Sequence, residues 1–153
     1  MMDLAALKLK VHQKCSYLAL TKIENLKSEL MVLQEASNQD IKSSAGDKYE
    51  TGRSMIVLEK EKLVAQLLEA YKLKKALDLI DLSKSINKVR LGALVKESNN
   101  LYYFSANFGV LDIADIKVFA LSTLSPIGQA MLGKTKDRCF EFRGKTHNIQ
   151  AIV

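Results

Sequence analysis

The acidic pair Asp47 and Glu50 is the feature of the sequence best suited to chemistry. The two carboxylates are three positions apart and directly follow Gly46. In a helix that begins there, side chains three residues apart lie on one face, so both can approach the same Mg²⁺ or its bound waters. Mg²⁺ takes about six oxygen ligands, so two carboxylates are too few to hold it alone. The structural alternative is a capping box, with Asp47 at the N-cap and Glu50 completing it.

The other reactive side chains are too dispersed to form a site. Cys15 and Cys139 are the two cysteines, and because they make neither a disulfide framework nor a ligand cluster, we expect reduced, buried or half-buried thiols. His12 and His147 fall in different predicted domains, which favours surface or packing roles over metal binding. No Ser/His/Asp or Cys/His constellation accompanies them. The pattern does not predict an enzyme.

A long helical segment precedes the acidic pair. From Leu4 to about Ile41 the sequence contains no proline or glycine, and apolar residues recur in steps of three, four, five and seven. These residues are Leu4, Leu7, Val11, Leu18, Ile23, Leu26, Leu30 and Leu33. At about 1.5 Å per residue, such a helix makes an arm on the order of 55 to 60 Å long.

Small residues and a glycine interrupt the helical pattern at positions 43–47, which predicts the tip of a hairpin. The apolar pattern then resumes with a seven-residue recurrence, at Ile56, Leu63, Ala70 and Leu77. This recurrence favours an antiparallel coiled coil of two helices. A hairpin of this kind also occurs as a simple spacer or as a dimer seam.

The composition shifts toward β-branched and aromatic residues beyond a boundary near 85–91. The strand candidates are Leu101–Phe104, Ile116–Leu121, Arg138–Phe142 and His147–Val153, with turns at Asn99-Asn100 and at 143–146. The sequence therefore predicts an α+β chain. Residues 1–86 form the coiled-coil hairpin, and residues 87–153 form a small antiparallel β domain with one short helix.

The short helix follows Ser125. Serine is a favoured N-cap, Pro126 suits the first helical position, and Gly133 suits the position after the last turn. Its apolar side chains are expected in the core of the β domain; they are Ile127, Ala130, Met131 and Leu132.

The charge balance bears on partners. The 153 residues carry a formal net charge of +6, with a sequence pI of about 9.3. Such an excess favours a polyanionic partner, either nucleic acid or an acidic protein surface, although it also occurs as a merely solvated face. No run approaches the roughly 20 apolar residues of a membrane span, and the first residues do not resemble a secretory signal. We expect a cytoplasmic protein with no membrane partner and leave its oligomeric state open.

Two segments resemble the bacterial Gre transcript-cleavage and elongation factors, the GreA/GreB type. Residues 46–50, Gly-Asp-Lys-Tyr-Glu, are similar to the family's Gly-Asp-x-x-Glu signature. Residues 125–134, Ser-Pro-Ile-Gly-Gln-Ala-Met-Leu-Gly-Lys, resemble the Ser-Pro-x-x-x-Ala-x-x-Gly-Lys stretch of the family's FKBP-like carboxy-terminal domain. Together with the helical arm, the resemblance covers nearly the whole chain.

The resemblance implies an accessory factor of RNA polymerase. Its FKBP-like domain would dock at the rim of the secondary channel, and its coiled coil would reach through the channel to the active centre. Asp47 and Glu50 would help the polymerase's own active site to cleave backtracked RNA. They would share Mg²⁺ with the polymerase, and the factor alone would bind no cofactor. The implied partners are RNA polymerase, the nascent RNA 3′ end and DNA within the elongation complex. Partner-binding candidates in the second segment are Ser125, Pro126, Gly128, Gly133 and Lys134.

The sequence departs from the family after the second acid. The family continues Asn-Ala-Glu-Tyr, whereas this chain has Thr-Gly-Arg-Ser at 51–54 and so gains a positive charge. Arg53 can pair with RNA phosphate or with Glu50, and in the second case it competes with the metal. Four hypotheses follow: a cleavage-stimulating elongation factor, a secondary-channel regulator without cleavage activity, a prolyl isomerase, and a non-catalytic coiled-coil adaptor.

Overall fold

A computed structural model describes the backbone of residues 2–42 and 46–153, and the side chains of residues 2–39 and 51–153. The chain divides into two compact units. We call Ala19–Lys74 the hairpin unit, and Met1–Leu18 with Lys75–Val153 the sheet unit. The predicted boundary between residues 86 and 87 falls inside the sheet unit.

Two long helices dominate the first half of the chain: α1 spans Leu4–Lys42 and α2 spans Gly46–Asp78. α1 begins where Asp3 caps it, since the Ala6 amide donates to Asp3 Oδ1 over 3.1 Å. Its 39 residues make a helix of roughly 58 Å. The predicted helical hairpin is confirmed.

The hairpin unit is held by one apolar seam. Its buried side chains are Ile23, Leu26, Leu63 and Ala70, and Leu30, Leu33 and Leu67 pack against them. Lys60 Nζ donates to Gln34 Oε1 over 2.8 Å, and Lys27 Nζ lies 5.6 Å from the Tyr71 ring centroid. From Lys27 forward to Gln34 on α1, the partners on α2 go backward from Tyr71 to Lys60, so the two helices are antiparallel. The predicted heptad residues Leu63, Ala70 and Leu77 are buried, and Ile56 is half-buried.

Six strands form one sheet in the sheet unit, in the order β3-β4-β2-β1-β6-β5. The strands are β1 Leu94–Glu97, β2 Asn100–Phe104, β3 Gly109–Ile113, β4 Ile116–Leu121, β5 Cys139–Phe142 and β6 Lys145–Ile152. The sequence predicted β2, β4, β5 and β6 but missed β1 and β3. The expectation of an antiparallel sheet holds for the other pairings, whereas β2 and β4 run parallel, with Tyr103 opposite Ala120.

The short helix α3, Pro126–Met131, begins as predicted, with Ser125 as N-cap and Pro126 at its start. Met131 is fully buried in the sheet core, and Ile127 and Ala130 pack against that core. The expectation for Leu132 was wrong, because its side chain is 42% exposed. Leu132 is already past the last helical residue and has an extended backbone, so the helical period no longer directs its side chain inward.

Further buried side chains of the sheet unit come from the start of α1 and from the segment before β1. Leu7, Val11 and Cys15 are buried, as are Val89 and Ala93. On β2, Tyr103 and Phe104 have no exposed surface, and Phe104 belongs to the sheet core. No helix in the described part of the chain combines the length and apolarity that crossing a membrane requires.

Candidate functional site

The acidic pair lies at the start of the second hairpin helix. Because α2 begins at Gly46, Asp47 and Glu50 are three residues apart in its first turn. Carboxylates at that end of a helix are favoured by the helix dipole. The side chains of both residues lie outside the described residues, so metal sharing and the capping-box alternative both stay predictions.

The residues after the acidic pair continue α2. Thr51 and Arg53 are exposed, and Gly52 is half-buried. Within the described residues, no group of three or more His, Cys, Asp or Glu side chains could hold a metal ion. Two carboxylates fit only part of the oxygen set that Mg²⁺ requires, so a partner would have to supply the remaining ligands.

The hairpin unit exposes large apolar side chains on the helices beside this end. Met31 is 67% exposed and Val32 65% exposed on α1, while Met55 is 66% exposed and Leu58 64% exposed on α2. We call these four residues the hairpin patch. Single exposed apolar side chains are ordinary on soluble proteins, whereas a contiguous group of them marks a surface that contacts another protein.

The second predicted segment, residues 125–134, has a clear role in folding. Ser125 Oγ accepts a hydrogen bond from the Gly128 amide over 3.1 Å and donates to the Ser122 carbonyl over 2.7 Å. A Cβ atom on Gly128 would collide with the Ser122 carbonyl oxygen and would lie 2.8 Å from Ser125 Oγ. Only glycine fits this position without displacing the cap.

Gly133 and Lys134 end the segment by pairing with the chain before β1. Gly133 has φ +78°, a left-handed conformation that favours glycine after a helix. Its amide donates to the Val89 carbonyl over 2.8 Å, and the Val89 amide donates to the Lys134 carbonyl over 2.9 Å. Pro126 and Gly133 are exposed and Lys134 is half-buried. Partner binding by these residues stays a prediction.

Both histidines lie in the sheet unit rather than in separate domains. His12 Nδ1 is 2.8 Å from Tyr103 Oη, and the rings meet edge to face. Burial first, and Cys15 second, raise the pKa of Tyr103 well above its usual range. The phenol is therefore protonated at neutral pH, and the pair links α1 to β2 inside this unit.

The cysteines differ in environment. Cys15 is fully buried and lies 3.7 Å from Ser105 Oγ, and burial raises the pKa of its thiol. Cys139 is exposed, so the expectation of a buried or half-buried thiol was wrong for this residue. It lies at the start of β5, an edge strand whose outward positions face solvent.

Sequence reasoning missed a buried polar cluster around Glu97. This carboxylate is 2% exposed, lies 3.1 Å from His147 Nδ1 and accepts from Asn100 Nδ2 over 3.3 Å. Burial opposes its ionisation, but hydrogen bonds from Ser98, His147 and Asn100 outweigh burial and hold its pKa below the usual range. An ionised carboxylate only accepts hydrogen bonds, so His147 Nδ1 carries the proton.

His147 is fixed on its other side by stacking on Phe140, with ring centroids 5.1 Å apart. The cluster lies where β1 pairs with β6, at the register shift between Lys96 and Glu97. Nothing in the local sequence marks Glu97 as buried, because Lys96 and Ser98 flank it. It is a structural cluster within the sheet unit.

Comparison with known proteins finds a likeness among solved structures. No family model and no curated protein matches the chain. The solved structure of the transcription factor Gfh1 is similar to it at 16% identity and a TM-score of 0.34, over 90% of this chain and 92% of that one. Because both values are low, the functional conclusion depends on the residues and geometry of this chain.

Proposed function

We propose that this chain is a Gre-type transcription factor that binds RNA polymerase and presents the first turn of α2 to the polymerase active centre. The observation that carries the proposal is the position of the Gly-Asp-x-x-Glu motif. Gly46, Asp47 and Glu50 occupy the start of the second helix of a hairpin. A long helical hairpin can carry a short sequence motif into a recessed site of a partner protein.

The hairpin patch supports a protein partner for this unit. Four apolar side chains that are each more than 60% exposed cost free energy in water, at about 25 cal/mol per Å² of apolar surface. Burying them in a complex recovers that free energy. The net charge of +6 further favours association with a particle that carries RNA and DNA.

The proposed chemical role is to stimulate the polymerase's intrinsic cleavage of backtracked RNA. Mg²⁺ supplies Lewis acidity and an activated water for phosphodiester hydrolysis. Asp47 and Glu50, three residues apart on one helical face, add oxygen ligands or orient bound water at the nascent RNA 3′ end. The factor contributes carboxylates, and the polymerase contributes the remaining ligands.

A stalled elongation complex with labelled RNA tests this role. The protein is expected to release short 3′ fragments, and Asp47→Asn is expected to reduce the release rate by about 10- to 100-fold, the loss typical of disturbing a group that orients a metal ligand. Glu59→Gln, which alters an exposed acid of the same helix, is the matched control and should retain the rate. Polymerase binding should be equal for all three proteins.

A second function, channel binding without cleavage, is favoured by the exposed Arg53. One helical turn separates it from Glu50, so its guanidinium is positioned to compete with a metal for that carboxylate. In the same assay this regulator would bind polymerase and release no RNA. Arg53→Ala would then increase cleavage if Arg53 is the inhibitory group.

The remaining hypotheses have less support. The aromatic side chains Tyr102, Phe104 and Phe140 are buried in the sheet core, where they cannot line a proline pocket. A prolyl isomerase is disfavoured on this ground, and a peptide isomerisation assay tests it. A passive coiled-coil adaptor would show no effect of Asp47→Asn on any transcription assay.

A further inference from the structure

Lys8 of α1 is a buried lysine that lines a cavity in the sheet unit. The cavity has a volume of about 380 Å³, within the range of roughly 300 to 1,000 Å³ that is usual for small-molecule sites. Apolar side chains form much of its wall, and Lys8, Lys84 and Ser85 add polar groups. The apolar lining includes Leu9, Leu82 and Ile86.

The ammonium group of Lys8 lacks a partner within the described residues. Lys8 is only 4% exposed, yet it forms no hydrogen bond or ion pair with another described residue. No described side-chain nitrogen is both sealed from solvent and unsatisfied. The Lys8 nitrogen therefore keeps access to water, and the cavity that it lines provides that access.

The titratable side chains that line the cavity are both basic, Lys8 and Lys84. Burial first, and the Arg90 guanidinium second, lower the pKa of Lys8. Val153 also lines the cavity, but its terminal carboxylate forms no ion pair with the Lys8 ammonium. Asp81 does not line this cavity, and its carboxylate accepts from the Ser83 amide and hydroxyl over 3.0 and 2.6 Å. Lys8 thus lines the cavity without an ion pair to another described residue.

We propose that this cavity binds a small molecule that carries one oxyanion group on a compact apolar body. The oxyanion, a phosphate or a carboxylate, pairs with the Lys8 ammonium, and the apolar body packs against Leu9, Leu82 and Ile86. A buried cation without a partner is unfavourable, and a charge-assisted hydrogen bond compensates it. This inference does not depend on the proposed role in transcription.

Nuclear magnetic resonance titration of the full chain tests the proposal, with phenyl phosphate, benzoate and benzyl alcohol as the probes. At least one anionic probe is expected to shift the amide resonances of residues 5–9 and 82–86 in a saturable manner. Benzyl alcohol, which is neutral, should bind at least about tenfold more weakly, the loss expected when a charged hydrogen bond is absent. The phosphate and carboxylate arms distinguish the two oxyanions.

Lys8→Met keeps the apolar stem and removes the charge, and Lys10→Met is the matched control at an exposed lysine of the same helix. Anion affinity should fall at least about tenfold in Lys8→Met and stay unchanged in Lys10→Met. Lys8→Met should also raise the unfolding midpoint, because it removes an unpaired buried charge. The proposal is overturned if neither anion shifts these amides, if benzyl alcohol binds equally well, or if folded Lys8→Met binds like the unaltered protein.

Discussion

The hairpin unit and the sheet unit bury their apolar residues in different ways. Among the described residues, the seam of the hairpin unit has four buried side chains with three more packed against them. The sheet core contains ten buried side chains with four partly buried ones around them. The hairpin unit meanwhile leaves Met31, Val32, Met55 and Leu58 largely in water. The sheet unit also leaves single apolar side chains in water, Leu124 at 82% and Leu79 at 75% exposed, so the units differ in how many side chains their cores bury.

The difference follows from geometry. Two paired helices share one line of contact, so each buries a narrow stripe and the neighbouring positions remain in solvent. A sheet covered by helices buries a whole face. The hairpin unit is consequently suited to presenting residues to another molecule, and the sheet unit to holding a fixed shape. Three predictions test this comparison.

Leu63→Ala should have the largest effect. Leu63 is 4% exposed at the centre of the hairpin seam, and truncating a buried leucine costs about 2 to 5 kcal/mol. Native-state hydrogen exchange should show this loss in the amides of residues 19–74, while the amides of β2 and β4 keep their protection. Equal losses in both units would show that they unfold as one.

The control for this experiment is Leu58→Ala on the same helix. Leu58 is 64% exposed, so its truncation should change the free energy of unfolding by less than about 0.5 kcal/mol. Comparing the two variants therefore separates the contribution of the seam to the free energy of unfolding from that of the hairpin patch. Leu58→Ala should instead weaken binding to the proposed partner, RNA polymerase.

Gly128→Ala should have the next largest effect, in the sheet unit. The added methyl would collide with the Ser122 carbonyl oxygen, and overpacking of this kind costs about 3 kcal/mol. Gly133→Ala is the comparison, since no atom lies within 4 Å of its Cβ position. Its left-handed backbone alone should cost about 1 kcal/mol. Urea unfolding measures the loss of free energy of unfolding in both variants. An equal loss in the two would contradict the close approach of the Ser122 carbonyl oxygen to Gly128.

The pH dependence of stability should show the smallest effect, through Glu97. Its pKa is lower in the folded chain than in the unfolded chain, so its contribution is present above the unfolded pKa and is lost as the pH falls through the folded value. Urea unfolding from pH 7 to pH 3 should show a shallower decline for Glu97→Gln. Glu141→Gln, at an exposed position on β5, should leave the decline unchanged, and equal declines in all three proteins would contradict the assignment.

The candidate sites were accessible to sequence reasoning to different degrees. The Ser125 cap, the Pro126 start and the Gly133 end follow from rules that act within one or two helical turns, and the structure confirms them. The motif at Asp47 and Glu50 was also visible, because its residues lie within five consecutive positions, 46–50. The cluster of Glu97 and His147 and the cavity of Lys8 were not visible, because Glu97 and Lys8 are charged residues that normally face solvent.

The sequence alone determined the two helices, their break near Gly46, the short helix after Ser125 and four of the strands, because periodicity, capping and turn preferences are local. Tertiary structure decided the rest. It gave β1 and β3 their strand partners, set β2 parallel to β4 and buried Lys8 and Glu97. Strand pairing and burial depend on contacts between segments distant in sequence. His147 lies 50 residues from Glu97, and no local pattern encodes such a pair.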